Sequence, residues 1–198
     1  MTILYLNSHP DDALLSSGAT IAKQIEEGHD VHYVVFSWAG QGFNKEEIMR
    51  SLKVLGIKDS NIRLLNYEVR NFPYFASAIR QEMVNIREQI KPDRVYINSS
   101  LDLHQDHEIT SREGYRVFRE LTLFGYILPW NVRELKLGAF QEITEKHLDK
   151  KLKSVGELKS QQFRFYYNPE RVKAMAIMFG LFRRKKLAEG FEVMNTNL

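Results

Sequence analysis

The chain has 198 residues, 43% of them hydrophobic, and a net charge of +3 at neutral pH. That is enough apolar material for one sizeable core, and no Pro-, Gly- or Ser-rich linker divides it, so one domain spanning residues 1–198 is expected. The small charge, scattered through predicted helices, argues against nucleic-acid binding, and the absence of cysteine excludes disulfides and thiolate metal ligands.

The first predicted strand, Ile3 to Asn7, begins almost at Met1 and leaves no room for a secretory signal, which makes the cytoplasm the expected compartment. A helix follows from Ala13 to Glu27 and ends at Gly28, a residue favoured just past helix C-termini. Val31 to Phe36 is a largely apolar run and reads as a buried strand. A helix over Lys45 to Leu55 leads to a short strand at Ile62 to Leu65, and a longer helix over Phe75 to Gln89 stops before Pro92. Val95 to Asn98 is the next strand. Strands are expected at Phe124 to Leu128 and Leu135 to Ile143, then helices at Glu145 to Gln162 and Pro169 to Ala188. Alternating strands and helices imply a three-layer, Rossmann-like α/β fold with a mostly parallel sheet. Within the last helix the apolar run Ala174 to Phe182 is far short of the roughly 20 residues needed to span a bilayer. With Arg183 to Lys186 it offers either a peripheral membrane contact or, more simply, a face packed on the sheet.

Two polar clusters each follow a predicted buried strand. His9-Pro10-Asp11-Asp12 comes after the first, and His104-Gln105-Asp106-His107 after the strand at Val95 to Asn98, so three of the six histidines fall in two short segments. In an open parallel sheet the carboxyl ends of the strands share one edge, and distant clusters converge there on a single ligand. His9, Asp12 and His107 make a two-histidine, one-carboxylate set that suits catalytic zinc and leaves a position open for water. Asp11, pointing at another angle, is the candidate base for that water. His104 is the candidate oxyanion partner or acid, with Asp106 orienting its ring and favouring its protonated form. Each cluster alone also reads as a helix start: Ser8 or Asp102 as a polar cap, Pro10 in the first turn, and acids at the positive end of the helix dipole.

Taken together, these motifs resemble the LmbE-like, or PIG-L-like, zinc-dependent N-deacetylases, marked by His-Pro-Asp-Asp-Glu after the first strand and His-x-Asp-His after a later one. Ser17-Gly18-Ala19-Thr20, Glu47 ahead of Leu55-Gly56-Ile57, Lys151 with Ser160-Gln161, and Ala188-Glu189-Gly190-Phe191 are similar to further elements of that family. The resemblance implies zinc on His9, Asp12 and His107, Asp11 as general base, and His104 with Asp106 as oxyanion partner. It also implies removal of acetyl from an N-acetylated amino sugar, such as an N-acetylglucosamine unit of a glycan, glycolipid or conjugate. Ala13 departs from the family's Glu, and a family arginine near Asn44 and Lys45 is absent. The alternatives are a metal hydrolase of another small amide or ester, and a zinc- or sugar-binding protein of weak catalysis.

Overall fold

The middle of the first strand is apolar on both sides. In the computed structural model, which describes residues 1–196, β1 (Thr2–Asn7) turns Ile3 and Tyr5 to one face and Leu4 and Leu6 to the other, all four fully buried. Successive side chains of a strand point to opposite sides, so such a strand has to be covered twice. β2 (Asp30–Val35) and β4 (Arg94–Asn98) obey the same rule: Tyr33, Val35 and Tyr96 lie in one core, Val34, Val95 and Ile97 in the other.

The two cores lie on opposite sides of one seven-stranded sheet. The other strands are β3 (Ile62–Leu64), β5 (Thr122–Tyr126), β6 (Ala139–Glu142) and β7 (Ala188–Asn195), and the order is β3-β2-β1-β4-β5-β7-β6. β1 to β5 are parallel, while β7 runs antiparallel to both β5 and β6. Helices α1 (Asp12–Glu26), α2 (Lys45–Leu55) and α5 (Glu145–Glu157) cover the first face; α3 (Phe72–Ile90) and α4 (Gln105–Phe118) cover the second. The three-layer, mostly parallel architecture agrees with the expectation. The strand order reverses between β1 and β4, which opens a crevice at their carboxyl ends.

The C-terminal third differs from the sequence-based reading. The last helix, α6 (Pro169–Leu181), ends well before Ala188, and the chain continues instead into the strand β7. This strand does not read as one because two of its inward side chains are the carboxylates of Glu189 and Glu192, each almost fully buried. Gly190 fits because a Cβ there would lie 2.8 Å from Leu137 and 3.0 Å from the Phe179 ring. Along α6, Val172, Ala176 and Phe179 are buried, but Ile177, Leu181 and the adjoining Phe182 are exposed. No helix among the described residues is long and apolar enough to cross a membrane.

Glu189 explains an irregularity in α1. The helix is broken at Ser17 (φ −133°, ψ 18°), and the freed amides of Ala19 and Thr20 donate to the Glu189 carboxylate at 3.2 and 2.6 Å. Lys151 of α5 donates to the same carboxylate at 2.6 Å and to the Ser16 carbonyl at 3.2 Å. Gly18 makes room for the lysine stem, whose Cγ would lie 3.0 Å from a Cβ at that position. One buried ion pair thus joins α1, α5 and β7. Removing one partner of such a pair strands the other, so Lys151→Met should cost about 3–5 kcal/mol in urea unfolding. The exposed Lys153→Met should stay within about 0.5 kcal/mol. Equal effects of the two changes would show that the pair does not hold the broken helix in place.

Candidate metal centre and active site

The crevice between β1 and β4 receives both His/Asp clusters. After β1 the chain turns at Ser8, whose hydroxyl bonds Asn98 at the end of β4 and Thr110 in α4, at 3.1 and 2.7 Å. This cross-link ties the two loops together. The His9 amide donates to Asp12 Oδ2 at 2.9 Å and closes the turn that starts α1. Asp11 occupies the cap position of α1, yet its side chain makes no capping bond. At α4 the cap is His104, whose Nδ1 accepts the Asp106 amide at 3.2 Å. Asp102 instead accepts the His104 amide at 2.9 Å.

Three donor atoms face one another here. His9 Nδ1 lies 3.0 Å from His107 Nε2, and Asp12 Oδ1 lies 3.7 Å from the first and 3.4 Å from the second. Neighbouring ligands of a tetrahedral ion bonded at about 2.0–2.1 Å are separated by roughly 3.3 Å, so the triangle fits zinc. The remaining polar atoms of these three residues are engaged behind it. His9 Nε2 pairs with Asp106 at 3.1 Å, His107 Nδ1 with Asp102 at 2.8 Å, and Asp12 Oδ2 accepts from Asn98 at 3.3 Å. Such carboxylate–imidazole pairs fix the tautomer and turn the other nitrogen toward a metal. His104 also brings a ring nitrogen to the group, with the donor atoms of His9, His104 and His107 all within 4.8 Å of one another.

Burial sharpens the electrostatics. Burial opposes a charge on His9, but hydrogen bonds to Asp106 and Asp12 and the charges of Asp12 and Asp11 outweigh it and push its pKa up to about 10. Two facing ring nitrogens therefore share either a proton or a cation. Asp12 is held well below the usual carboxylate range, since His107 and His9 overcome the desolvation. Asp11 is shifted the other way, raised by burial and by Asp12. Its Oδ2 accepts the Tyr167 hydroxyl at 2.8 Å, while Oδ1 has no hydrogen bond among the described residues. Tyr167 is itself pushed far up by burial and by Asp11, so it stays a donor.

The expected coupling of Asp106 to the His104 ring is not what the structure contains. The Asp106 carboxylate is directed to His9 and to the amides of Arg70 and Phe72, at 2.7 and 3.4 Å for the last two, and the bonds from His9 and Arg70 lower its pKa against burial. Only its backbone reaches His104. Burial, His107 and His9 depress His104 to about 4, and the opposing charges of Asp106 and Asp12 are too weak to reverse that. His104 is a neutral ring. Because Nδ1 accepts a hydrogen bond, its proton sits on Nε2.

A pocket of about 240 Å³ opens beside these groups, walled by Trp130, Tyr166, Arg70 and Arg164 among others. Trp130 and Tyr166 stack at 4.5 Å with nearly parallel rings. Trp130 lines the pocket, whereas Phe43 is in the core of the first face and Trp38 packs against it. Tyr167, Arg70 and Arg164 carry no local sequence signal. Arg70 and Arg164 lie in irregular segments and Tyr167 ends a single 3-10 turn, Phe165–Tyr167, and only the folded chain brings them to the crevice. Ala13 is wholly buried in the core of the first face, its amide bonded to Asn7 Oδ1 at 3.1 Å.

Comparison with known proteins agrees with this geometry. The family profile "PIG-L: GlcNAc-PI de-N-acetylase" matches residues 4–118, the segment that carries both clusters. An uncharacterized deacetylase of Escherichia coli, YaiS, is 27% identical over 168 residues, covering 80% of this chain and 90% of that protein. In fold, the N,N'-diacetylchitobiose deacetylase of Pyrococcus horikoshii superposes with a TM-score of 0.82 at 22% identity, over 98% of this chain and 83% of the other. GalB, a 4-carboxy-2-hydroxymuconate hydratase of Pseudomonas putida, superposes almost as closely, with a TM-score of 0.81 at 16% identity over 100% and 97% of the two chains. The fold alone thus serves more than one reaction, and the match over 4–118 goes further than the fold: the chain belongs to the PIG-L family of N-deacetylases.

Proposed function

We propose that the protein is a zinc-dependent hydrolase that removes acetyl from an N-acetylated amino sugar. The observation that carries this reading is the donor triangle of His9, Asp12 and His107, backed by Asp106 and Asp102. The sugar is supported by the family match and by the Pyrococcus relative, whose name gives an N-acetylated disaccharide as its substrate. The pocket volume, about 240 Å³, is below the roughly 300–1,000 Å³ of sites for drug-sized ligands and suits a single ring beside an aromatic wall.

Zinc on these three residues would supply Lewis-acid activation of water and of the amide carbonyl. Asp11 takes the proton of the attacking water on its free Oδ1, with Tyr167 fixing the carboxylate. The raised proton affinity of Asp11 then lets the same group hand that proton to the departing amine. His104 donates its Nε2 proton as a hydrogen bond to the carbonyl oxygen as negative charge develops there. Asp106 acts through His9 and is a positioning residue.

An acetate-release assay across N-acetyl sugars, with and without chelator, tests the reading directly. Metal-dependent release is expected, and a metal-loaded protein that releases no acetate from any of them would overturn it. The division of labour around the metal gives a second test. Asp106→Ala and Asp102→Ala should weaken zinc binding about 10- to 100-fold in chelator competition, because they remove the partners that orient the ligands. His104→Ala should keep the metal and lose turnover. Undiminished zinc affinity in both aspartate variants would detach them from the metal ligands.

Asp11→Asn should fold and hold zinc but lose roughly 10²- to 10⁴-fold in kcat, the range for a missing general base. Tyr167→Phe removes only one hydrogen bond to the carboxylate and should cost less, about 10- to 100-fold. Single-turnover rates of the two metal-loaded variants check the order, and a larger loss in Tyr167→Phe would assign the proton transfer elsewhere.

A further inference from the structure

On the second face of the sheet α4 packs over β4 and β5, while the strand order continues through β7 to β6. A groove of about 500 Å³ is left between α4 and β7. Its helical wall is Ser111, Arg112, Tyr115 and Arg116, which the period of the helix brings to one side of α4, and Met194 and Lys136 also line it. The volume falls within the roughly 300–1,000 Å³ of small-molecule sites. The groove shares no lining residue with the pocket beside the metal centre.

Two independent observations point to a ligand here. The first is Ser111, which is 3% exposed and whose hydroxyl has no hydrogen-bond partner among the described residues. Other helical hydroxyls of this chain bond the carbonyl one turn back: Thr110 to Asp106 at 3.0 Å, Ser16 to Asp12 at 2.8 Å and Ser17 to Ala13 at 3.1 Å. Ser111 forgoes that bond, and a buried hydroxyl left unpaired is costly. The second is the balance of donors and acceptors. The guanidinium groups of Arg80, Arg112 and Arg116 share one buried carboxylate, Glu113, at 3.1 to 3.4 Å. Lys136 lies 3.7 Å from Glu192, whose oxygens already accept from the Ser99 and Ser100 hydroxyls and the Ser100 amide. The remaining acid of the groove, Glu108, is exposed and 3.9 Å from Arg112. Charged donors therefore face the groove with their acceptors shared or already engaged, and a guanidinium with free N–H groups matches a carboxylate or phosphate.

We propose that this groove is a second ligand site, for a small organic anion with an apolar body. The anionic head meets Arg112, Arg116 and Lys136, Ser111 donates its hydroxyl to the same ligand, and the body lies on the Tyr115 ring and the Met194 side chain. The site stands whether or not the metal centre is a deacetylase, because none of the metal-centre residues lines it. It borders the metal centre from behind: Ser111 is one helical turn past His107, and Ser100, on the groove wall, is two residues before Asp102.

The test titrates the ¹⁵N-labelled, zinc-loaded protein with phenyl phosphate, benzoate, benzyl alcohol and benzylamine, which keep the ring and change the head. Phenyl phosphate or benzoate should saturably shift the amide signals of Ser111, Tyr115 and Met194, with an affinity about tenfold or more above those of the alcohol and the amine. The order of the two anions separates phosphate from carboxylate as the natural head group. Arg116→Gln keeps a donor for Glu113 and removes the charge, and should weaken anion binding about tenfold. Ser111→Ala should weaken it about 2- to 10-fold, the range for one neutral hydrogen bond. Lys136→Gln, at an exposed position, repeats the charge test should Arg116→Gln disturb the signals of α4. Shifts confined to the other pocket, at amides such as Asp12 and Arg70, would overturn the site. So would equal affinities for anion, alcohol and amine, or anion binding undiminished in the variants. No saturable shift with any of the four probes would leave the Ser111 hydroxyl to water and overturn it as well.

Discussion

Two imidazole nitrogens held 3.0 Å apart in a buried crevice are the constraint around which this structure is organised. Facing lone pairs repel unless a proton or cation lies between them, so the arrangement has to be imposed from behind. Asp106 and Asp102 impose it by taking the outer nitrogens of His9 and His107. Buried carboxylates in turn need donors, or their desolvation would exceed what they gain. Asp106 finds the amides of Arg70 and Phe72, Asp102 the amide of His104, and Asp12 the amide of His9 and the side chain of Asn98. Each layer of polar groups fixes the one inside it.

The same logic extends outward through the C-terminal strand. Glu192 of β7 accepts from the hydroxyls of Ser99 and Ser100 and from the Ser100 amide, all between 2.6 and 2.9 Å, and so anchors the loop that leads to Asp102. Glu189, three residues earlier, fills the break in α1 with Lys151. An antiparallel strand added at the far side of the sheet thus supports both halves of the crevice. It does so with carboxylates, which tolerate no slip in register because each would then be buried without its donors.

The crevice also separates groups by charge state. Asp12 is kept ionised by His107 and His9, Asp11 is made more basic by burial and by its neighbour, and His104 is kept neutral. Adjacent carboxylates pushed in opposite directions let one crevice hold a carboxylate that stays ionised beside one that takes up a proton more readily. The neutral imidazole beside them offers a hydrogen bond and no full positive charge. Arg164 and Arg70 line the same pocket, and neither pairs with a carboxylate within 4 Å among the described residues.

By itself the sequence determined the architecture and the two clusters, because both rest on local rules. Unbroken apolar runs such as Val95 to Ile97 must be buried on two faces, and clusters placed just after parallel strands must meet at one edge. His9, Asp11, Asp12, His104, Asp106 and His107 were legible for that reason, and they do converge. The partnership of Asp106 was not legible, since a residue two places from His104 and nearly a hundred from His9 looks nearer to the first; α4 turns its carboxylate to the second. Nor was β7, where Glu189 and Glu192 are apolar neither in type nor in pattern and are buried only because Lys151, Ser99 and Ser100 meet them there. Tyr167, Arg70 and Arg164 belong to the same class. Their positions depend on turns and a short 3-10 segment held by hydrogen bonds across the molecule, and long-range contacts of that kind leave no periodic trace in a sequence.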